Sequence, residues 1–141
     1  MKDAFTEGLK IRQLEEKDLD QYNELLSYVF QVTGTDIEES GYANKREMVQ
    51  SKRPILVLST VFGWFDNEKL ASQIAIYPCE VNIHGTIYKM GGVTGVGTYP
   101  EYARQGLMRE LVSVALHNMR DNKHWISNLY SYNIPYYRDK G

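Results

Sequence analysis

The residues best equipped for chemistry lie in one run, GGVTGVGTYPEYARQGLMRE, at positions 91–110. Gly92 and Gly97 satisfy the glycine spacing of a phosphate-binding P-loop, but Thr98 and Tyr99 follow where a lysine and a hydroxyl residue are needed to hold phosphate and magnesium. A nucleoside triphosphatase is therefore disfavoured. Gly95 and Gly97 could begin a dinucleotide fingerprint, yet Pro100 stands at the third glycine and the preceding residues read as antiparallel strands rather than a βαβ unit. A third reading takes the helix start after Pro100 as the functional part. First-turn backbone N–H groups lack internal partners and, with the helix dipole, form an anion site. Gly106 would let a phosphate approach that backbone, and Arg104 and Arg109 could add charge-assisted contacts. Gly106 could equally serve only to ease entry into the helix.

Elsewhere the reactive side chains are isolated. Cys79 is the single cysteine, with no cysteine or histidine at metal-ligand spacing, so neither an internal disulfide nor a metal site is expected, and a cytoplasmic location follows. Cys79 reads as an apolar residue of a strand. Among bases, Glu80, Asp66, Glu68 and the three histidines have no distinguishing neighbour; His117 falls on a polar helix face, His84 in a turn and His124 at a helix end. Trp64, Phe65 and Trp125 could line an acceptor pocket, but aromatics in strands more often fill a core.

These groups need a frame to hold them. LKIRQL at 9–14 alternates as a strand, and EEKD leads into a helix over 18–31 that TGTD ends. A second helix is expected over 36–50, weakened by Gly41. ILVLSTVFGWF and LASQIAIYP read as strands joined at Asp66 and Asn67, and CEVNI and TIYKMGGVTGVGT repeat the pattern around His84 and Gly85. The clearest helix spans 104–122, with Leu107, Met108, Leu111, Val112, Val114, Ala115, Leu116 and Met119 on its apolar side. HWISNLY gives a last strand and YYRDKG a short helix. Strand, helix, helix, antiparallel strands, helix, strand, helix is an α/β layering, an α+β arrangement around one mixed sheet. The 141 residues are enough for one domain.

The strand followed by Pro-x-Tyr-x-Arg-Gln-Gly-Leu and an amphipathic helix resembles the acetyl-CoA signature of the GNAT N-acetyltransferase superfamily. The downstream ISNLYSYNIPYYRDKG is similar to the superfamily segment that carries a tyrosine ahead of a Lys-Gly or Phe-Gly turn, and the combination most resembles the Eis (enhanced intracellular survival) branch, whose members acetylate amines including those of aminoglycosides. The resemblance implies a mixed, mostly antiparallel central sheet flanked by helices. It implies that Val96, Gly97 and Thr98 offer backbone groups to the pantetheine arm, with a bulge opening the cleft and the Val96 amide polarising the thioester. Arg104, Gln105, Gly106, Leu107 and Met108 would wrap the pyrophosphate. Tyr137 matches the tyrosine that protonates the departing thiolate, and Asn133 would lie near the cofactor.

Two departures stand out. The signature usually opens with glutamine or arginine and closes with glycine or alanine, where this chain has Ala103 and Met108. Family members also continue beyond the position of Gly141, and in the Eis-like branch the terminal carboxylate is the supposed general base, for which nothing here matches. The expectation is therefore an N-terminal GNAT domain, 1–141, of a longer multidomain protein. Its cosubstrate would be acetyl-CoA and its acceptor a small-molecule amine of aminoglycoside, polyamine or lysine type. The isolated domain could be inactive, and the full-length protein is expected to be a homo-oligomer. A catalytically silent acyl-CoA-binding or assembly module, and an adenine-nucleotide binder, remain open. A formal net charge of -2 offers no basic field for nucleic acid or anionic lipid, and no apolar run is long enough to span a bilayer.

Overall fold

A computed structural model describes residues 8–129 and 138. Strand β1 (Leu9–Gln13) leads through a 3₁₀ turn (Glu16–Asp18) into α1 (Leu19–Val29), then α2 (Gly34–Glu39) and α3 (Lys45–Leu58). Three strands follow, β2 (Thr60–Asp66), β3 (Lys69–Ile83) and β4 (Thr86–Thr98). A 3₁₀ turn (Pro100–Tyr102), α4 (Leu107–Asp121) and β5 (Ile126–Leu129) complete the described order. The strands form one sheet in chain order, antiparallel except that β5 lies parallel to β4. The expected mixed α/β architecture is the observed one. Among the described residues no helix is long and apolar enough to cross a membrane.

Centrality explains β3. Leu70 to Ile76 are all buried, as befits a strand covered on both faces. Ala75 joins Tyr22 and Leu25 of α1 and Leu56 of α3 in one core cluster. Ile74 and Ile76 join Met108, Leu111, Ala115 and Met119 of α4 in the other. The period-2 alternation of β3 thus feeds two helical layers from one strand. At the start of α1, both oxygens of the buried Asp18 accept from Arg12, at 2.6 and 2.9 Å, and the Glu15 amide donates to it at 2.9 Å. Arg12 also lies over the Phe65 ring, 3.6 Å from its centre.

Several boundaries differ from the sequence reading. TGTD starts a helix rather than ending one: the Thr33 hydroxyl accepts from the Asp36 amide at 3.2 Å, and the Asp36 carboxylate accepts from the Thr33 amide at 2.7 Å. The single helix expected over 36–50 is two, separated at Gly41, whose φ of +86° ends α2, and restarted where Asn44 Oδ1 accepts from the Glu47 amide. Ile55 to Leu58 read as strand but form the last turn of α3. Only Leu56 is buried while Ile55, Val57 and Leu58 are exposed, so the run was neither a two-sided strand nor a core segment. The β2–β3 turn is centred on Asn67 and Glu68, one residue later than expected. CEVNI is no separate strand, because β3 continues through Pro78 and Cys79 to Ile83. Helix α4 begins at Leu107 rather than near residue 104, and Leu116 of the expected apolar side is exposed.

Candidate active site

Beyond residue 93 the pairing of β4 with β3 becomes irregular. The β3 pairing runs Ala75↔Thr94 and then Gln73↔Gly97, so Gly95 and Val96 together oppose Ile74 alone. This is a β-bulge, with Gly95 at φ +62°. On the other side, β5 pairs with β4 only from Met90 to Val93 among the described residues. The bulge thus lies just past the last described pairing with β5. Val96 turns into the α4-side cluster, and a side chain on Gly97 would press against Val29 of α1.

The chain then has to turn sharply from β4 to α4, and local contacts fix that turn. The buried Ser72 hydroxyl donates to the Gly97 carbonyl at 3.2 Å and lies 2.7 Å from Thr98 Oγ1, while the Tyr99 amide donates to the Ala71 carbonyl at 3.0 Å. Tyr102 donates its hydroxyl proton to Asp66 at 2.8 Å, and that bond, followed by burial, holds the phenol above its ordinary pKa. Lys69 pairs with Glu101 at 3.3 Å, and its ammonium lies 5.8 and 5.6 Å from the Tyr99 and Tyr102 ring centres. The Trp64 indole donates to the Leu107 carbonyl at 2.9 Å, tying the first turn of α4 to β2.

Between these anchors the backbone is left open. Arg104 at φ +60° and Gly106 at φ +78° carry the chain around, and α4 begins with no side-chain cap. Among the described residues the amides of positions 104–109 donate to nothing, whereas those on either side, at Tyr102, Ala103 and Glu110, are bonded. A row of unpaired N–H groups at the positive end of a fifteen-residue helix is an anion cradle. A Cβ added at Gly106 would meet nothing within 4 Å. The amides border a cleft of about 390 Å³ lined by Thr98, Tyr102, Ala103, Arg104, Gly106, Leu107, Met108 and Arg109. A second, wider cleft of about 650 Å³ lies between the end of α1 and the same strand end, sharing Thr98 with the first.

Of the residues singled out in the sequence, Thr98, Arg104, Gly106, Leu107 and Met108 meet in one cleft, with Val96 and Gly97 just before it on the bulged strand. Gln105 is exposed and its Nε2 donates to the Glu101 carbonyl at 3.5 Å, outside the lining residues. Tyr137 and Asn133 lie outside the described residues. Tyr102 and Ala103 line the cleft without having been singled out as site residues; the Asp66 bond that places Tyr102 spans 36 positions, so no local pattern announced it. Among the other candidates, Phe65 is core and Trp125 is 74% exposed, apart from either cleft. Glu68 offers its carbonyl to Gln21 at 3.0 Å. His117 is exposed, with Nδ1 2.7 Å from the Ser113 carbonyl, and His84 occupies the β3–β4 turn at φ +49°. Among the described residues no three His, Cys, Asp or Glu side chains gather where they could hold a metal ion.

The family described as acetyltransferase (GNAT) domain matches residues 10–141. No curated protein sequence matches. A probable N-acyltransferase of Enterococcus faecalis V583 superposes with a TM-score of 0.81 at 24% identity, over 93% of this chain and 31% of its own. The present chain thus spans about a third of the length of that relative. A GCN5-related N-acetyltransferase of Ralstonia eutropha JMP134 superposes with a TM-score of 0.78 at 17% identity, over 95% of this chain and 92% of its own. A predicted acetyltransferase of Clostridium acetobutylicum crystallised with acetyl-CoA gives a TM-score of 0.77 at 14% identity, over 94% of this chain and 88% of its own. At these identities the structures speak for the fold alone.

Proposed function

We infer the activity from membership: this chain belongs to the acetyltransferase (GNAT) domain family, and we propose that it transfers acetyl from acetyl-CoA directly to a primary amine. Among the described residues, the observation carrying this reading is the row of unpaired amides at 104–109 beside the bulged end of β4, which β5 leaves unpaired beyond Val93. A diphosphate matches the first feature in charge, with Arg104 and Arg109 at hand. An arm containing secondary amides matches the second, because it can pair with an open strand edge. Diphosphate, amide-bearing arm and thioester in one molecule describe acetyl-CoA, and the crystal structure of the Clostridium protein with acetyl-CoA supports the choice.

In this reading Gly97 and Thr98 pair with the arm, and residues 104–108 hold the diphosphate through main-chain N–H groups. The Val96 amide donates to the thioester carbonyl oxygen as negative charge builds there. The neutral amine attacks the carbonyl carbon, the C–N bond forms, the C–S bond breaks, and no enzyme-bound acyl group arises. Alignment of the two reactants in adjoining clefts lowers the barrier by up to about 7–11 kcal/mol. The attacking nitrogen gives its proton up to solvent, Tyr137 gives its phenolic proton to the leaving thiolate and regains one from solvent, and Asn133 is assigned to the arm. The wider cleft that shares Thr98 receives the amine.

The proposal extends to the Eis-like branch, with this domain as the N-terminal unit of a longer homo-oligomeric protein and an aminoglycoside, a polyamine or a lysine side chain as acceptor. The Enterococcus relative, of which this chain covers 31%, supports the longer architecture. Thiol release from acetyl-CoA with kanamycin, spermidine or a lysine peptide tests the reading, each with wild type and Tyr137→Phe. Amine-dependent release that falls sharply in the variant at unchanged acetyl-CoA affinity supports it. Tight CoA binding without release for any amine supports the silent acyl-CoA module instead.

A further inference from the structure

Directly beneath the bulge, on the side facing α1, sits the side chain of an α1 residue. Tyr22 is 2% exposed. A Cβ built on Gly95 would fall on its hydroxyl and come within 2.9 Å of Cζ and 3.1 Å of Cε2. Glycine at 95 is thus required twice, once by φ +62° and once by the phenol occupying the side-chain space. Among the described residues the Tyr22 hydroxyl has no hydrogen-bond partner, and burial alone pushes its pKa up to about 12.

The neighbouring position is also unusual. Gln73, 0% exposed on β3, donates from Nε2 to the Tyr22 carbonyl at 3.2 Å, while its Oε1 has no partner among the described residues. Gln73 pairs with Gly97, the first residue in register after the bulge. The α1 backbone at Tyr22 is therefore tethered to the strand position that closes the bulge, while the ring of the same residue fills the space that opens it. Unpaired buried polar atoms are uncommon in native interiors, and each calls for an explanation.

We propose that Tyr22 is a positioning residue for acetyl transfer: its ring, wedged against Gly95 and anchored through Gln73, holds the β4 bulge and so aims the Val96 amide at the thioester carbonyl. The inference rests on the function proposed above. It differs in where the residue acts, since Tyr22 touches neither the amide row at 104–109 nor the cleft beside it. Loss of the ring should relax the strand end and leave the diphosphate cradle intact.

The test uses acetyl-CoA labelled with ¹³C at the thioester carbonyl, with its stretching band read by infrared difference spectroscopy and its affinity by calorimetry. Wild type is compared with Tyr22→Leu, which removes the ring, and Tyr22→Phe, which keeps it. Bound to wild type, the band should move to lower frequency. In Tyr22→Leu it should return most of the way to the solution value while Kd changes less than about threefold, and Tyr22→Phe should restore most of the shift. With any accepted amine, kcat of Tyr22→Leu should fall on the order of a hundredfold, the scale of a misplaced reacting group, with KM for acetyl-CoA little changed. An unaltered band in Tyr22→Leu overturns the inference, and so does a Kd that weakens in parallel with it, which would mark a merely structural role. If Tyr22→Leu is unfolded by circular dichroism, Gly95→Ala supplies the same perturbation from the strand side, and an unaltered band there also overturns it. Absence of acetyl-CoA binding by wild type would defeat the proposed function itself, a result distinct from all of these.

Discussion

Replacing Gly106 with alanine separates the backbone strain of the β4–α4 turn from its capacity to bind an anion. Gly106 sits at φ +78°, where an L-residue costs about 1–2 kcal/mol, and for a domain of this size that lowers Tm by roughly 3–8 °C. Apart from its own chain neighbours the new methyl would meet no atom within 4 Å, so packing adds nothing to that backbone cost. The methyl nevertheless enters a site whose amides are unpaired. Excluding a phosphate oxygen from one or two of them forfeits charge-assisted bonds of about 1.5–3 kcal/mol each, a loss of roughly 10- to 100-fold or more in CoA affinity. Gly41 is the internal control, at φ +86° with nothing within 4 Å and placed between α2 and α3. Gly41→Ala should lose a similar amount of stability and no CoA affinity. Calorimetric titration with CoA, alongside thermal melts of both variants, reads the two effects separately. Equal CoA affinity in Gly106→Ala and wild type would refute the reasoning, because the amides would then not be where the diphosphate binds.

Three further outcomes are expected. Arg12, through its side-chain hydrogen bonds, depresses the Asp18 pKa below its ordinary 3.8, so the stability this pair contributes is complete above about pH 4 and is lost as pH falls through the lowered folded value. Asp18→Asn should cost about 2 kcal/mol at pH 7 in urea melts, less than a fully buried pair because Arg12 is 33% exposed, and the difference from wild type should shrink at the acid end. Gly63→Ala should lose about 1–3 kcal/mol, since its Cβ would stand 2.6 Å from Leu70 Cδ1 and 3.1 Å from the Ser72 carbonyl oxygen. In a Trp125→Phe background, where Trp64 is the remaining tryptophan, CoA should change the emission of Trp64, whose indole bonds the first turn of α4; an unchanged spectrum at saturation would contradict a site at that turn.

Legibility in the sequence followed the range of the determining contacts. The α4 signal was plain because Leu107, Leu111, Ala115 and Met119 repeat on one face within a single helix. Arg104 and Gly106 stood out from the helix start after Pro100, whereas Gln105, Leu107 and Met108 came from the resemblance to the acetyl-CoA signature, Gln105 among them although its side chain bonds the Glu101 carbonyl. Asp66, weighed as a base, turned out to anchor Tyr102 across 36 positions. Ile55 to Leu58 misled because β-branched apolar residues suggest a strand, whereas the helix begun at the Asn44 cap carries through them and exposes three of the four. The role of Gly95 was invisible for the same kind of reason: the object filling its side-chain space is Tyr22, brought there by packing of α1 on the sheet.

The central claim, that the main-chain amides opening α4 hold the diphosphate of CoA, is tested most directly by titrating ¹⁵N-labelled protein with CoA and following each backbone amide. The account predicts that the largest shifts fall within residues 104–109, with a second group at 96–98. Saturable binding whose shifts fall on α1 and α3 and leave 104–109 unmoved would contradict it.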